Sequence, residues 1–193
     1  MATQNSNKNK PNNVTKAHTP STSSPTEVNE TPASSAPAIP EKPLVPKEVD
    51  PNQIVTVRNG FQGRLVYKSR RTGERWSWET FGAEQDMELS ELKNARNSNK
   101  KYFINNWFMF DEDWIVDYLG MRQYYKHALP IDDFDKLFEK PASEIEKIVS
   151  KLSDGQRKSV AYRAKQLIAE GGIDSNKVIT TLENCLNTEL IER

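Results

Sequence analysis

The chain has 193 residues, room for one ordinary domain with a tail or for two small domains, and its 27 basic residues are balanced by 27 acidic ones. That neutrality argues against a general nucleic-acid binder, whose domain carries a strong positive excess. No stretch approaches the roughly 20 apolar residues that span a bilayer, and the N-terminus MATQNSNKNK lacks the apolar core of a secretory signal. A protein with no membrane partner, soluble and staying where it is made unless an assembly carries it, is therefore expected.

Residues 1–52 hold nine of the eleven prolines and contain neither an aromatic residue nor a glycine. Such a segment cannot bury enough apolar surface to offset the roughly 1–2 kcal/mol of backbone entropy lost per ordered residue. It is predicted to be a disordered arm. Pro37, Pro40, Pro43 and Pro46 recur every third residue, which favours local polyproline II. The resulting PxxP matches allow a docking peptide, but a semi-rigid spacer is the favoured reading.

The folded body is predicted to start with a small antiparallel β module over 53–89. Ile54-Val55-Thr56-Val57 is a β-branched run, and Asn59-Gly60 after it is a turn signal because both residues tolerate positive φ. Arg64–Lys68 reads as a second strand, Ser69–Gly73 as a turn, and Arg75-Trp76-Ser77-Trp78-Glu79 alternates with period two. Met87–Leu89 adds a short fourth strand before Ser90 caps a helix. The sum is a small antiparallel sheet or partial barrel.

Residues 90–140 form a mixed connecting region. Ser90–Asn97 reads as a short helix and Trp107–Phe110 as a buried strand. Asp111 caps a helix stopped by Gly120, and Pro130 starts another through Phe138. Over 141–193, three helices form a bundle. Ile145, Ile148, Val149 and Leu152 share one face, and Ser153 with Gln156 matches a capping box in which each side chain satisfies the other's backbone amide. Ser175 caps the last helix. Cys185, the sole cysteine, lies in the apolar series of that helix and reads as a small core residue rather than a reactive thiol. The fold class is α+β.

Charge is unevenly distributed along the body. Residues 53–101 carry ten Lys/Arg against six acids, and 102–141 carry four against eight. Arg70, Arg71 and Arg75 cluster at one turn beside Trp76 and Trp78, and these five are the candidate partner-binding residues. Arginine beside tryptophan suits a protein–protein hot spot and equally suits phosphate contact with base stacking. The structural alternative is a tryptophan face packed inward beneath solubilising arginines.

Asp111-Glu112-Asp113 and Asp132-Asp133 with Asp135 have the chemistry of a hard-cation site, but both runs sit where a helix begins, so capping explains them and no metal is assigned. His18 and His127 are too few for a histidine metal site. No Walker loop, GxGxxG or nucleophile motif is present, so no cofactor and no catalytic residue are assigned. A helix-turn-helix over the last three helices is disfavoured, because Lys177 is the only base on its would-be reading helix before Arg193.

The order of features from Val55 onward resembles a loosely defined group of small virion-associated proteins of tailed bacteriophages. The strand VTVRN, the strand-turn-strand GRLVYKSRRTGE and the stretch Phe81 to Leu92, FGAEQDMELSEL, carry the resemblance, followed by a Trp/Phe block and a helical C-terminal region. It spans about 55–190. What it implies is a setting: a non-enzymatic structural or assembly protein, made in the host bacterial cytoplasm and ending in the virion. Its partners would be other virion or assembly proteins, its own copies among them, with the arm reaching a neighbouring subunit. The alternative is a nucleic-acid-binding accessory protein using the arginine turn and the C-terminal helices.

Overall fold

β1, Ile54–Asn59, organises the first half of the fold. Its side chains alternate, with Val55, Val57 and Asn59 buried and Ile54 and Thr56 outside. The computed structural model describes residues 48–191. The predicted arm up to residue 47, with its proline series and His18, lies outside the described residues. The end of that predicted arm belongs instead to the folded body. Val49 packs against the first core, and the carbonyls of Pro51 and Gln53 accept the amides of Ser90 and Leu89 at 2.7 and 3.0 Å. Those amides open a helix and have no partner within it.

β1 pairs antiparallel with β4, Glu84–Glu88, on one side and with β5, Phe108–Met109, on the other. β2, Leu65–Lys68, and β3, Arg75–Trp78, form a separate two-stranded hairpin. The single predicted sheet is thus two sheets, and the Asn59-Gly60 hairpin turn does not form. Neither residue has positive φ. Asn59, fully buried, donates through Nδ2 to the carbonyls of Gly63 and Thr80, both at 2.8 Å, and accepts the Phe61 amide at 2.9 Å. The backbone of Gly60 lies against Asn106, whose carbonyl oxygen would sit 2.1 Å from an added Cβ.

The helices are α1 Leu89–Ser98, α2 Lys101–Ile104, α3 Asp113–Tyr118, α4 Arg122–Tyr125, α5 Ala142–Val149, α6 Asp154–Ala169 and α7 Asn176–Leu186. α1 and α3 begin with Glu88 and Glu112 at their N-caps, so neither predicted cap, Ser90 or Asp111, holds that position. Gly120 ends the turn after α3 with φ +66°. Between Pro130 and Phe138 only a 3₁₀ turn forms, at Asp135–Leu137. Ser153 caps α6 as predicted, its hydroxyl accepting the Gln156 amide at 3.2 Å. The Gln156 side chain does not return to Ser153; it binds both the amide and the carbonyl of Leu129 at 2.9 Å. α7 has Ser175 at its N-cap without a side-chain hydrogen bond.

Two apolar cores result. The first joins β1, the hairpin, β4, α1 and α3 around Phe108, whose ring lies 4.8–5.7 Å from those of Tyr67, Trp78, Tyr102 and Phe103. The second joins α5, α6 and α7 with Phe134, Leu137 and Phe138, so the bundle's core extends upstream of residue 141. Phe81, from the β3–β4 connection, reaches this core with its ring 4.7 Å from Phe134. The architecture is α+β. Among the described residues no helix is long and apolar enough to cross a membrane.

Candidate functional site

The β2–β3 hairpin has two chemically distinct faces. Its register sets Leu65 opposite Trp78, Val66 opposite Ser77, Tyr67 opposite Trp76 and Lys68 opposite Arg75. Residues directly opposite share a face. Leu65, Tyr67, Trp76 and Trp78 therefore point one way and Lys68, Arg75, Val66 and Ser77 the other.

The inward face is committed to the core. Trp78 is fully buried, and its indole N–H donates to the Val57 carbonyl at 2.8 Å. It cannot meet a partner, which corrects the sequence assignment. Trp76 is half-buried, tilted against Tyr67 at 5.7 Å between ring centroids and donating to the Asp86 carbonyl at 3.2 Å.

The three arginines of the turn divide in the same way. Arg71 reaches Glu91 at 3.3 Å, and Glu91 is 3% exposed on the first turn of α1. Glu91 also accepts from the Tyr67 hydroxyl at 2.7 Å and from Asn94 at 2.8 Å. Burial alone would raise the Glu91 carboxyl; the hydrogen bonds from Asn94, Tyr67, Ser69 and Arg71 outweigh it and hold the group below its ordinary value. Burial, with Glu91 next to it, pushes the Tyr67 hydroxyl well above the usual tyrosine range. The buried Ser69 hydroxyl accepts the amides of Arg71 and Thr72 at 3.1 Å, which shapes the turn, and Gly73 closes it with φ +78°. Arg71 is thus a structural member of the site.

Arg70 and Arg75 remain. Every other arginine among the described residues is engaged within the chain. Arg58, Arg64, Arg71, Arg122 and Arg163 pair with carboxylates, and Arg96 and Arg157 donate to the carbonyls of Leu119 and Cys185. Arg70 and Arg75 are exposed and have no such partner among the described residues, and neither does Lys68. Beside this tip lies a cleft of about 270 Å³ whose lining includes Ile54, Arg71, Glu74, Trp76, Asp86 and Glu88.

The acidic runs considered for a cation hold basic groups instead. Asp111 and Asp132 grip Arg58, both at 2.9 Å; Asp113 pairs with Arg122, Asp135 with Arg163 and Asp133 with Lys136. Hydrogen bonds and charge from Asp132 and Asp111 raise the Arg58 guanidinium further above its usual range, and Arg58 in turn lowers the Asp132 carboxyl. Cys185 is half-buried against the second core, and burial pushes its thiol up. On α6, Arg157 and Arg163 are tied down, leaving Lys158, Tyr162 and Lys165 exposed.

Arg58 and Glu91 were not singled out by sequence, and Asn59 was read only as half of a turn signal. Arg58 is a polar residue at the end of an apolar strand, and Glu91 looks like any first-turn helix acid. No local signal marks either one. No protein-family model matches the chain, and neither a curated protein nor a solved structure matches it significantly.

Proposed function

We propose that this protein is a non-enzymatic structural or assembly component of a tailed-phage particle, acting by protein–protein binding, and that Lys68, Arg70 and Arg75 make the contact. The observation that carries the binding role is the register that sets Lys68 against Arg75. Like charges directly opposite weaken a hairpin. No carboxylate of the described residues relieves this pair. An acidic partner surface would.

A protein surface suits the tip better than nucleic acid does. Stacking on bases needs exposed rings, and the hairpin's rings are turned inward, Trp78 fully and Trp76 partly. The particle setting rests on the resemblance of residues 55–190 to virion-associated phage proteins.

Nucleic-acid binding is the second reading, favoured by the same unpartnered Arg70 and Arg75. It predicts an affinity that falls by about 0.9 log unit per log unit of salt for each phosphate neutralised. Absence of DNA or RNA binding at low salt removes it. For the main reading, quantitative mass spectrometry of purified particles is expected to find the chain at a fixed copy number. Its absence from them would withdraw the particle role.

A further inference from the structure

We propose that the cationic tip docks head to tail on a second copy of this chain, the tip of one copy entering the acid-rimmed cleft of the next. This rests on the protein-binding reading above and names the partner.

The cleft beside the tip is rimmed by acids. Its rim carries Glu74, Asp86 and Glu88, all exposed and none with a cationic partner among the described residues. Among the described residues the Asp86 carboxylate accepts only the Thr56 hydroxyl at 2.9 Å, and the Glu88 carboxylate only the Ser90 hydroxyl at 2.9 Å. The rim's one cation, Arg71, is held by Glu91. Among the described residues, these three carboxylates and the three cations Lys68, Arg70 and Arg75 therefore lack ion-pair partners.

The two sets cannot neutralise each other within one chain. Trp76 lines the cleft, and Arg75, one residue before it, projects from the opposite face of the strand. Lys68 shares the Arg75 face through the cross-strand register. Local geometry thus holds like charges together and opposite charges apart, and a second chain brings them into contact.

The cleft has an apolar centre. Ile54 is 57% exposed, the most exposed large hydrophobic residue described, and it lies in the cleft wall with the half-buried Trp76. An apolar centre within a charged rim is the ordinary anatomy of a protein interface. Tip and cleft lie on opposite faces of the hairpin, so the contact joins unlike patches of two copies head to tail.

The test is sedimentation velocity on the full chain, over a range of concentration and salt. The wild type is expected to self-associate at low salt and to dissociate as salt is raised. Arg70→Glu with Arg75→Glu reverses the tip; Glu74→Lys with Glu88→Lys reverses the cleft. All four positions are exposed, and circular-dichroism melts confirm that each variant folds. Either double variant alone is expected to associate at least about 100-fold more weakly, because like charges then face each other. Mixed one to one, the two variants are expected to recover association, since each tip again meets a cleft of opposite charge. A wild-type chain that stays monomeric up to about 1 mM overturns the inference, as do variants that associate like the wild type or a mixture that does not recover. A monomer that still enters particles leaves the protein-binding reading standing and removes only the self-pairing.

Discussion

Gly60 and Gly155 show how single residues join the two halves of the fold. The segment Asn105-Asn106 runs between them: an added Cβ on Gly60 would stand 2.1 Å from the Asn106 carbonyl oxygen, and one on Gly155 would stand 2.2 Å from that of Asn105. Both obstacles are backbone, so no side chain can swing aside. Gly60→Ala and Gly155→Ala are each expected to destabilise the protein by about 3 kcal/mol, read as a lower denaturant midpoint. Gly73→Ala meets no neighbour, so only its φ of +78° opposes the change, and its effect is expected to be smaller. Glu91 gives a pH signature. Its carboxyl is lowered in the fold, so its stabilisation is complete above the ordinary value of 4.5 and is lost as pH falls through the lowered value. Glu91→Gln is expected to lower stability at neutral pH by about 1–3 kcal/mol and to flatten the acid limb of the stability curve. Thermal melts from pH 7 to pH 3 check it; an unchanged acid limb would show that Glu91 does not titrate with folding.

At the scale of elements, the β2–β3 hairpin carries a conflict that substitution can resolve. Lys68→Glu sets an acid opposite Arg75 and is expected to stabilise the protein by about 0.2–1 kcal/mol while weakening partner binding. A variant both more stable and fully active in binding would make the cations mere surface charge. The hairpin itself was legible in the sequence. Period two in Arg75–Glu79 puts Trp76 and Trp78 on one face and Arg75 with Ser77 on the other, and the structure keeps that division. Which face is buried was not legible, because it depends on Val57 and Phe108, distant in the chain. Asn59-Gly60 misled for the same reason: its turn propensity is local, whereas the conformation is set by Gly63, Thr80 and Asn106. Ser153 was read correctly because a cap concerns only the next turn of chain. The fate of Gln156 needed Leu129, twenty-seven residues upstream.

The whole molecule is neutral, but its charges are arranged rather than averaged. Most acids of 102–141 are drawn onto Arg58, Arg122, Arg163 and Lys136, where they tie loops to strands and helices. The surplus cations of 53–101 include the three at the hairpin tip, which the described fold leaves without partners. Composition showed the asymmetry; only the register showed which charges remain available. The most direct test of the proposed particle role, with the tip as the point of contact, is the copy number of the chain in purified particles when it carries Lys68→Ala, Arg70→Ala and Arg75→Ala together. All three side chains are exposed, so the fold is expected to keep its melting temperature or gain slightly from losing the opposed charges. The predicted result is incorporation reduced at least about tenfold, the effect of roughly 1.4 kcal/mol of lost binding. Incorporation at the wild-type copy number would contradict the account.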